Sequence, residues 1–462
     1  MTKRFHITRR SFLARCAATA AATGLPLWMV QDELASAQDA TNAPVPRSAN
    51  DTPGILLVGC GGQGTTDARN ARRLGEIVAV CDVDQNHAQG AVRSFTRNGK
   101  APTPYGDFRK ALENPDVHIV VMGCPDHWHT LVNLAAAKAK KDIYGEKPLT
   151  LTVDEGRHVI KAVRDNKIVF QTGTQQRSDQ KFRKACELVR NGRIGKLQQV
   201  NVWVPGGLRE GPFTAGPIPA GFNWDFWLGQ APQVDYLKER THSSFRWWWD
   251  YAGGPVTDWG AHHNDIARWG IGQDGPLEIE GRVITQPIPG GFTTPSEYEA
   301  TITWAGGVTQ IVKTTLDDTP FGGVVKRDGQ RNGVKFIGTD GWIWVNRGTL
   351  EASKDEILDT PLPDNAVKLE VSGDHMGNFF QAVRSRRDPI AKVEEGHRSA
   401  VIGHLIIIAL RTGQKLHWDP VAETFTDPAA TAPGASVSDA VKEARTYLAR
   451  EMRKPYDYTF AS

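Results

Sequence analysis

The chain has 462 residues, 40 % hydrophobic and 23 % charged, an ordinary globular composition with length enough for two domains and a substantial core. Against 55 basic residues stand 52 acidic ones, but the first 37 residues hold five of the bases and two of the acids, so the rest balances at 50 of each. A body this neutral excludes an extended basic footprint for nucleic acid.

Residues 1–37 read as an address. Thr8-Arg9-Arg10-Ser11-Phe12-Leu13 matches the twin-arginine export pattern; an Ala-rich, weakly apolar stretch over 16–30 follows, then the cleavage signal Ala35-Ser36-Ala37. The apolar stretch is too short to serve as a membrane span, and Arg15 before Cys16 argues against a lipoprotein. A periplasmic mature protein is therefore expected, with residues 38–52 as a linker. Its four cysteines, Cys60, Cys81, Cys124 and Cys186, match no metal template, so neither a metal centre nor a disulfide framework is expected.

Ile55-Leu56-Leu57-Val58 form an apolar run suited to a strand buried on both faces. Gly59, Gly61 and Gly64 follow in G-x-G-x-x-G spacing, which supplies a tight turn, backbone approach to a pyrophosphate and close helix packing. A helix over 65–74 would aim its first N–H groups at that pyrophosphate. The next strand, over 77–81, ends at Asp82, where a carboxylate can accept both ribose hydroxyls of an adenosine. Its charge favours NAD over NADP, and Val83-Asp84-Gln85-Asn86 offers no arginine for a 2′-phosphate.

Further alternation of helix and strand completes a doubly wound domain over 53–175: a helix over 88–96, another after Tyr105, a strand over 118–122, a helix over 130–140, a strand over 142–145, a helix over 153–165 and a strand over 168–171. Open parallel sheets bind ligands at the C-terminal ends of their strands. The residues expected at the cofactor are accordingly Gly59, Gly61, Gln63, Gly64 and Asp82, with Pro125, His129 and Glu146 along the sheet edge.

Beyond a helix over 180–191 the character changes. Strands over 196–204, 277–284, 298–304, 309–315, 334–338 and 341–346, joined by turns such as Ala305-Gly306-Gly307 and Thr339-Asp340, predict an antiparallel sheet. Late helices over 377–386 and 396–412 close a second domain spanning 176–420, and residues 421–462 read as an extended arm.

Three ordered motifs, Gly59-x-Gly61-x-x-Gly64, Glu146-Lys147-Pro148 and Gly253-Gly254-x-x-x-Asp258-x-Gly260-x-His262-x-x-Asp265, together resemble the glucose–fructose oxidoreductase/inositol dehydrogenase (Gfo/Idh/MocA) family over residues 53–455. The resemblance implies a Rossmann domain, then an open-faced antiparallel sheet, with the active site between them. It also implies hydride transfer between a nicotinamide and a sugar or cyclitol carbon. Lys147 is then the group that stabilises an alkoxide, its bond to Pro148 often cis in the family. Asp258 and His262, four residues apart, would share one helical face, His262 as general base titrating near neutrality and Asp258 orienting its ring or raising its pKa. His263 is the competing base, and Asp265 lies on the same face.

Aromatic rings stack on sugar faces, so Trp248 and its neighbours in Phe245-Arg246-Trp247-Trp248-Trp249-Asp250-Tyr251 are candidate substrate contacts, with Arg246 or Asp250 on hydroxyls; core or interface packing is the competing role. Gln175, Gln176 and Arg177 leave the last Rossmann strand towards the same place. An exported NAD-dependent oxidoreductase of sugars is the leading expectation. The alternative is a glycosidase or lyase that retains NAD and oxidises its substrate transiently. An open-faced sheet also predicts a homodimer or homotetramer.

Overall fold

The computed structural model describes residues 52–314, 332–430 and 436–460. The export pattern, the cleavage signal and nearly all of the linker lie outside the described residues.

Six strands make the first sheet: β1 (Gly54–Val58), β2 (Glu76–Cys81), β3 (Thr103–Tyr105), β4 (Ile119–Met122), β5 (Asp142–Gly145) and β6 (Phe170–Thr172). Their order is β3-β2-β1-β4-β5-β6, and every pairing is parallel. The order reverses between β1 and β4, which opens a crevice at their C-terminal ends. Connecting them are α1 (Gly62–Ala71), α2 (Gln85–Phe95), α3 (Phe108–Leu112), α4 (His129–Lys138) and α5 (Val153–Asn166). Separate apolar clusters cover the two faces, so β1 is buried along its whole length.

Side chains set the helix starts where the sequence offers caps. Asp84 accepts from Asn86 N–H at 2.8 Å and Asp107 from Arg109 N–H at 2.9 Å. Helix α1 starts three residues before the expected position, because Gly61 is its N-cap and the glycine loop turns straight into it.

After α6 (Gln180–Arg190) comes β7 (Leu197–Trp203), then a long irregular stretch containing the short α7 (Trp224–Leu228), and α8 (Trp259–Ile271). Strands β8 (Glu278–Thr285), β9 (Glu297–Thr303), β10 (Thr309–Lys313), β11 (Gly333–Gly338), β12 (Trp342–Val345) and β13 (Leu350–Ala352) follow. Then come α9 (Asp355–Asp359), α10 (His375–Ser385), α11 (Val393–Thr412), β14 (Leu416–Asp419), β15 (Thr424–Thr426) and α12 (Asp439–Thr446).

The second sheet has nine strands in the order β13-β12-β11-β7-β10-β9-β8-β14-β15. The expected turns at 305–307 and 339–340 do join antiparallel neighbours. The sheet is nevertheless mixed, for β7 and β10 run parallel. More than 100 residues separate those two strands, and a connection that long lets the chain return in the same direction.

One face of this sheet carries the largest core, in which Val200, Val202, Tyr298, Ile302 and Phe336 meet residues of α6, α8 and α11. Alternation sends Glu297, Glu299, Thr301 and Thr303 to the other face, where Trp203, Trp342 and Trp344 form a cluster of their own. The late helices do not stay with the second sheet. Helix α10 places Met376, Phe379 and Phe380 on the Rossmann sheet. Residues past 420, expected as an arm, include β15 and α12, and the tail then returns to the first domain. There Arg450 pairs with Glu155 at 2.7 Å, and Tyr456 and Phe460 pack on Trp128. Among the described residues, no helix is long and apolar enough to cross a membrane.

Candidate active site

A cavity of about 640 Å³ lies where the C-terminal edge of the Rossmann sheet faces the second domain. Its floor at one end is the glycine loop. Gly59 has φ +87°, and a Cβ there would sit 2.5 Å from the Cys124 nitrogen; a Cβ on Gly64 would sit 2.1 Å from the Gly59 oxygen. Gly61 differs, having no protein atom beyond its own chain neighbours within 4 Å of a built Cβ. The first two glycines serve packing, and the third leaves open space above the N-terminus of α1. Asp82 is held beside it, accepting from Cys60 N–H at 2.8 Å and Asp84 N–H at 2.9 Å. Gln63 lines the same end and donates to Asp67 at 3.1 Å.

Along the edge, Pro125 lines the cavity. His129 is buried between two carbonyls, Pro148 O at 2.6 Å and Cys124 O at 2.9 Å, and so ties the β4 loop to the Lys147-Pro148 corner. Burial holds its pKa below the ordinary value. Glu146 is buried, and its Oε1 has no hydrogen-bond partner. Burial also pushes the neighbouring Asp67 carboxyl up, with the charge of Glu146 adding to the effect.

The other end of the cavity brings together Lys147, Asp258 and His262. The Lys147-Pro148 bond is cis. Lys147 Nζ donates to Asp258 Oδ1 at 3.0 Å and to the Asp258 carbonyl at 3.2 Å. Burial pushes the ammonium down, but Asp258 and Glu146 outweigh it and leave its pKa above the ordinary value. Burial likewise works against the Asp258 carboxylate, and Lys147 and Arg246 outweigh it, holding its pKa low. The pair therefore stays ionised, a cation and an anion.

Asp258 does not share a helical face with His262. It is the N-cap of α8, which begins at Trp259, and its carboxylate goes to Lys147 and, at 3.4 Å, to Arg246. Four residues of separation suggested a partner for the imidazole; the bend at the helix start turned the carboxylate to a lysine 111 residues away. Nor does His262 titrate near neutrality. It is 7 % exposed, its Nδ1 has no partner, and burial, with the charges of Lys147 and Arg347, holds its pKa well below 6.5. The imidazole is neutral at pH 7 and able to accept a proton. His263, the competing base, is buried outside the cavity lining, bonded to Asn332 Oδ1 at 2.9 Å and stacked on Trp259.

Several expected substrate contacts lie elsewhere. Arg177 is 3 % exposed and grips Asp265 through two bonds of 2.7 Å, with Ser399 also donating to Asp265. This buried pair ties the turn after β6 to α8, outside the cavity lining. Gln176 is buried beside it; Gln175 lines the cavity. Trp248, 3 % exposed, donates to Glu239 O at 2.8 Å and lies under Arg240 at 4.0 Å, in an aromatic cluster with Phe213 and Phe292. From that aromatic run, Phe245 and Arg246 line the cavity.

Sequence reasoning missed Arg347, Trp259, Phe222, Phe226 and His242, all lining the cavity. Trp259 sat unread between two motif residues, while Arg347 follows β12 with no motif around it. The segment 221–246 crosses from the second domain to the first: Gln85 N–H donates to Gly221 O at 3.0 Å, and the His87 and His242 rings are 4.5 Å apart. With Asp84, those two histidines bring one ligand atom each within 4.8 Å of one another, a spacing that could hold a cation.

The family model for an NAD-binding Rossmann fold matches residues 54–174, and that for the C-terminal alpha/beta domain of the same oxidoreductase family matches residues 202–434. The chain belongs to the Gfo/Idh/MocA oxidoreductase family. It is similar to myo-inositol 2-dehydrogenase of Thermotoga maritima, at 25 % identity over 48 % of this chain and 55 % of that protein. The chain thus matches little more than half the length of that relative. Similarity to scyllo-inositol 2-dehydrogenase (NAD(+)) of Bacillus subtilis is 23 % over 74 % of this chain and 89 % of that one. Among solved structures, an aldose-aldose oxidoreductase from Caulobacter crescentus complexed with glycerol shares the fold, with TM-score 0.59 and 18 % identity over 79 % of this chain and 99 % of the other.

Proposed function

We propose that this protein is an exported NAD-dependent oxidoreductase, moving hydride between a carbinol carbon of a sugar, glycoside or cyclitol and a nicotinamide. The observation that carries the reading is one cavity with an ionised Lys147–Asp258 pair and a neutral His262 at one end, and the glycine loop with Asp82 at the other. The open space over Gly61 and the α1 N-terminus fit a pyrophosphate, and Asp82 fits a ribose diol and disfavours a 2′-phosphate. Asp82→Ala should therefore narrow a preference for NAD over NADP; equal affinities in the parent would show the acid to be wrongly assigned.

A bound nicotinamide supplies the hydride acceptor or donor. The chain supplies the rest. His262 takes the hydroxyl proton, Lys147 stabilises the oxygen as its charge develops, and Asp258 keeps Lys147 charged and aimed. The inositol dehydrogenases among the relatives support a carbinol substrate. The deciding experiment is to denature the purified protein and identify the nucleotide released, then screen sugars, glycosides and cyclitols for absorbance change at the reduced-nicotinamide band. No nucleotide bound and none taken up would end the reading.

A second reading, a glycosidase or lyase with retained NAD and transient oxidation, is favoured by the segment 221–246 bridging the two domains beside Asp82. Bond cleavage without net nicotinamide reduction in that screen would establish it. The export proposal rests on Arg9-Arg10 and Ala35-Ser36-Ala37; secretion of a variant with both arginines changed to lysine would refute that route. A homodimer or homotetramer packed through the nine-stranded sheets completes the proposal, and a monomer by light scattering at micromolar concentration would overturn it.

A further inference from the structure

We propose that the catalytic end of the cavity contains an oxyanion subsite built on Arg347, so that the substrate is a sugar bearing a carboxylate or phosphate rather than a neutral sugar. The inference rests on the function proposed above and narrows it to a substrate class.

Among the described residues, the charges around His262 do not balance. Lys147, Arg246 and Arg347 all line the cavity there. Asp258 is the carboxylate that answers them, and it is already shared: Lys147 at 3.0 Å and Arg246 at 3.4 Å both address its Oδ1. Arg347 makes no hydrogen bond or ion pair to a carboxylate or carbonyl among the described residues; the carboxylate charge acting most on it is Asp179, which is itself paired with Lys181 at 3.2 Å. Its guanidinium carbon lies 4.7 Å from the centre of the Trp259 ring, a contact that satisfies none of its five donors. Arg246 is partly free as well: beyond Asp258 it donates from Nη1 to Ser243 O at 2.9 Å, leaving Nη2 without an acceptor among the described residues.

Other carboxylates of the lining do not restore the balance. Asp82 is at the far end, bonded to the Cys60 and Asp84 amides. Asp126 is buried and pushed up to about 7, so it carries only part of a charge at neutral pH. Glu146 is buried against Asp67, and burial raises the pKa of both. An oxidised nicotinamide would bring one more positive charge to this end. A neutral sugar would thus enter a pocket of unanswered cations, whereas a planar carboxylate or a phosphate can accept two parallel bonds from the Arg347 fork.

The test compares methyl glucuronoside and glucose 6-phosphate with methyl glucoside on the NAD-loaded protein, by calorimetric binding and by nicotinamide reduction. At least one anionic sugar should bind about tenfold or more tightly than the glucoside, the scale of a hydrogen bond to a charged group. Arg347→Gln should erase that preference mainly through KM, and Arg347→Lys should restore part of it; the two anions tell carboxylate from phosphate. Equal binding of all three sugars by the parent, or an anion preference that survives in Arg347→Gln, overturns the subsite. Selective anion binding with no redox or cleavage of any sugar leaves the subsite standing and refutes the dehydrogenase reading instead.

Discussion

In the mechanism proposed above, His262 and Lys147 divide the work by charge, and their environments keep the two in those charge states. The imidazole is neutral because burial and two nearby cations oppose its protonation; the ammonium is retained because Asp258 and Glu146 outweigh its burial. His262→Ala should lower turnover by about 100-fold or more, the scale of a lost general base, and Lys147→Ala by about 100-fold as well, as when one donor to a developing oxyanion is removed. Both should keep NAD, since the glycine loop and Asp82 lie at the far end; a His262→Ala protein with full NAD and parental turnover ends the mechanism. The pH dependence follows from the same charges. With the His262 pKa below 6.5, turnover should not begin to fall as pH drops through 6.5, and its acid limb should lie lower. Asp258→Asn removes the anion that holds the Lys147 proton, so the basic limb should move to lower pH. An unmoved basic limb would show that Asp258 does not tune Lys147.

At the level of elements, the glycine loop between β1 and α1 combines two demands that substitution separates. Gly59 is in left-handed backbone with the Cys124 main chain 2.5 Å from a built Cβ, so Gly59→Ala should cost about 1–3 kcal/mol of stability. Gly61 has no protein atom beyond its own chain neighbours within 4 Å of a built Cβ. Gly61→Ala should therefore melt like the parent while losing about tenfold or more in NAD affinity, because the methyl group occupies the space of the pyrophosphate. Thermal melting and NAD titration on the two variants check this, and a Gly61→Ala protein with parental affinity would show that the phosphates lie elsewhere. The helix starts obey the same local logic: Asp84 and Asp107 cap α2 and α3 from positions visible in the sequence.

Across the whole molecule, buried histidines set the response to acid. Burial lowers His127 to about 3, His263 to about 4, His375 to about 4 and His404 to about 3, and lowers His129 and His262 too. Each folded pKa is depressed, so the unfolded chain binds protons first. Their contribution to stability is complete above the unfolded value of about 6.5 and is lost as pH falls towards 4. The melting temperature should accordingly be flat near neutrality and fall steeply between pH 6 and 4. A flat Tm across that interval would mean that these rings are not kept neutral by burial. The histidines are spread over both domains, so the loss should appear as destabilisation of the whole body rather than of one loop.

By itself the sequence determined what spacing determines. The alternation of buried strands and capped helices, the tight turn of the glycine loop, the placing of Asp82 at the end of β2 and the hairpins of the second sheet all follow from neighbours close along the chain. That Lys147 and His262 would lie at one cavity was legible because each sits in a short motif. Tertiary structure decided everything that depends on distant partners. It gave Asp258 to Lys147, 111 residues away, and not to the nearby imidazole; it locked Asp265 to Arg177, 88 residues away. It also buried Trp248 in a packing cluster, laid β7 parallel to β10, and brought Arg347 and His242 to the cavity. A carboxylate turns towards whichever cation packing brings within about 3 Å, and residue spacing carries no information about that choice.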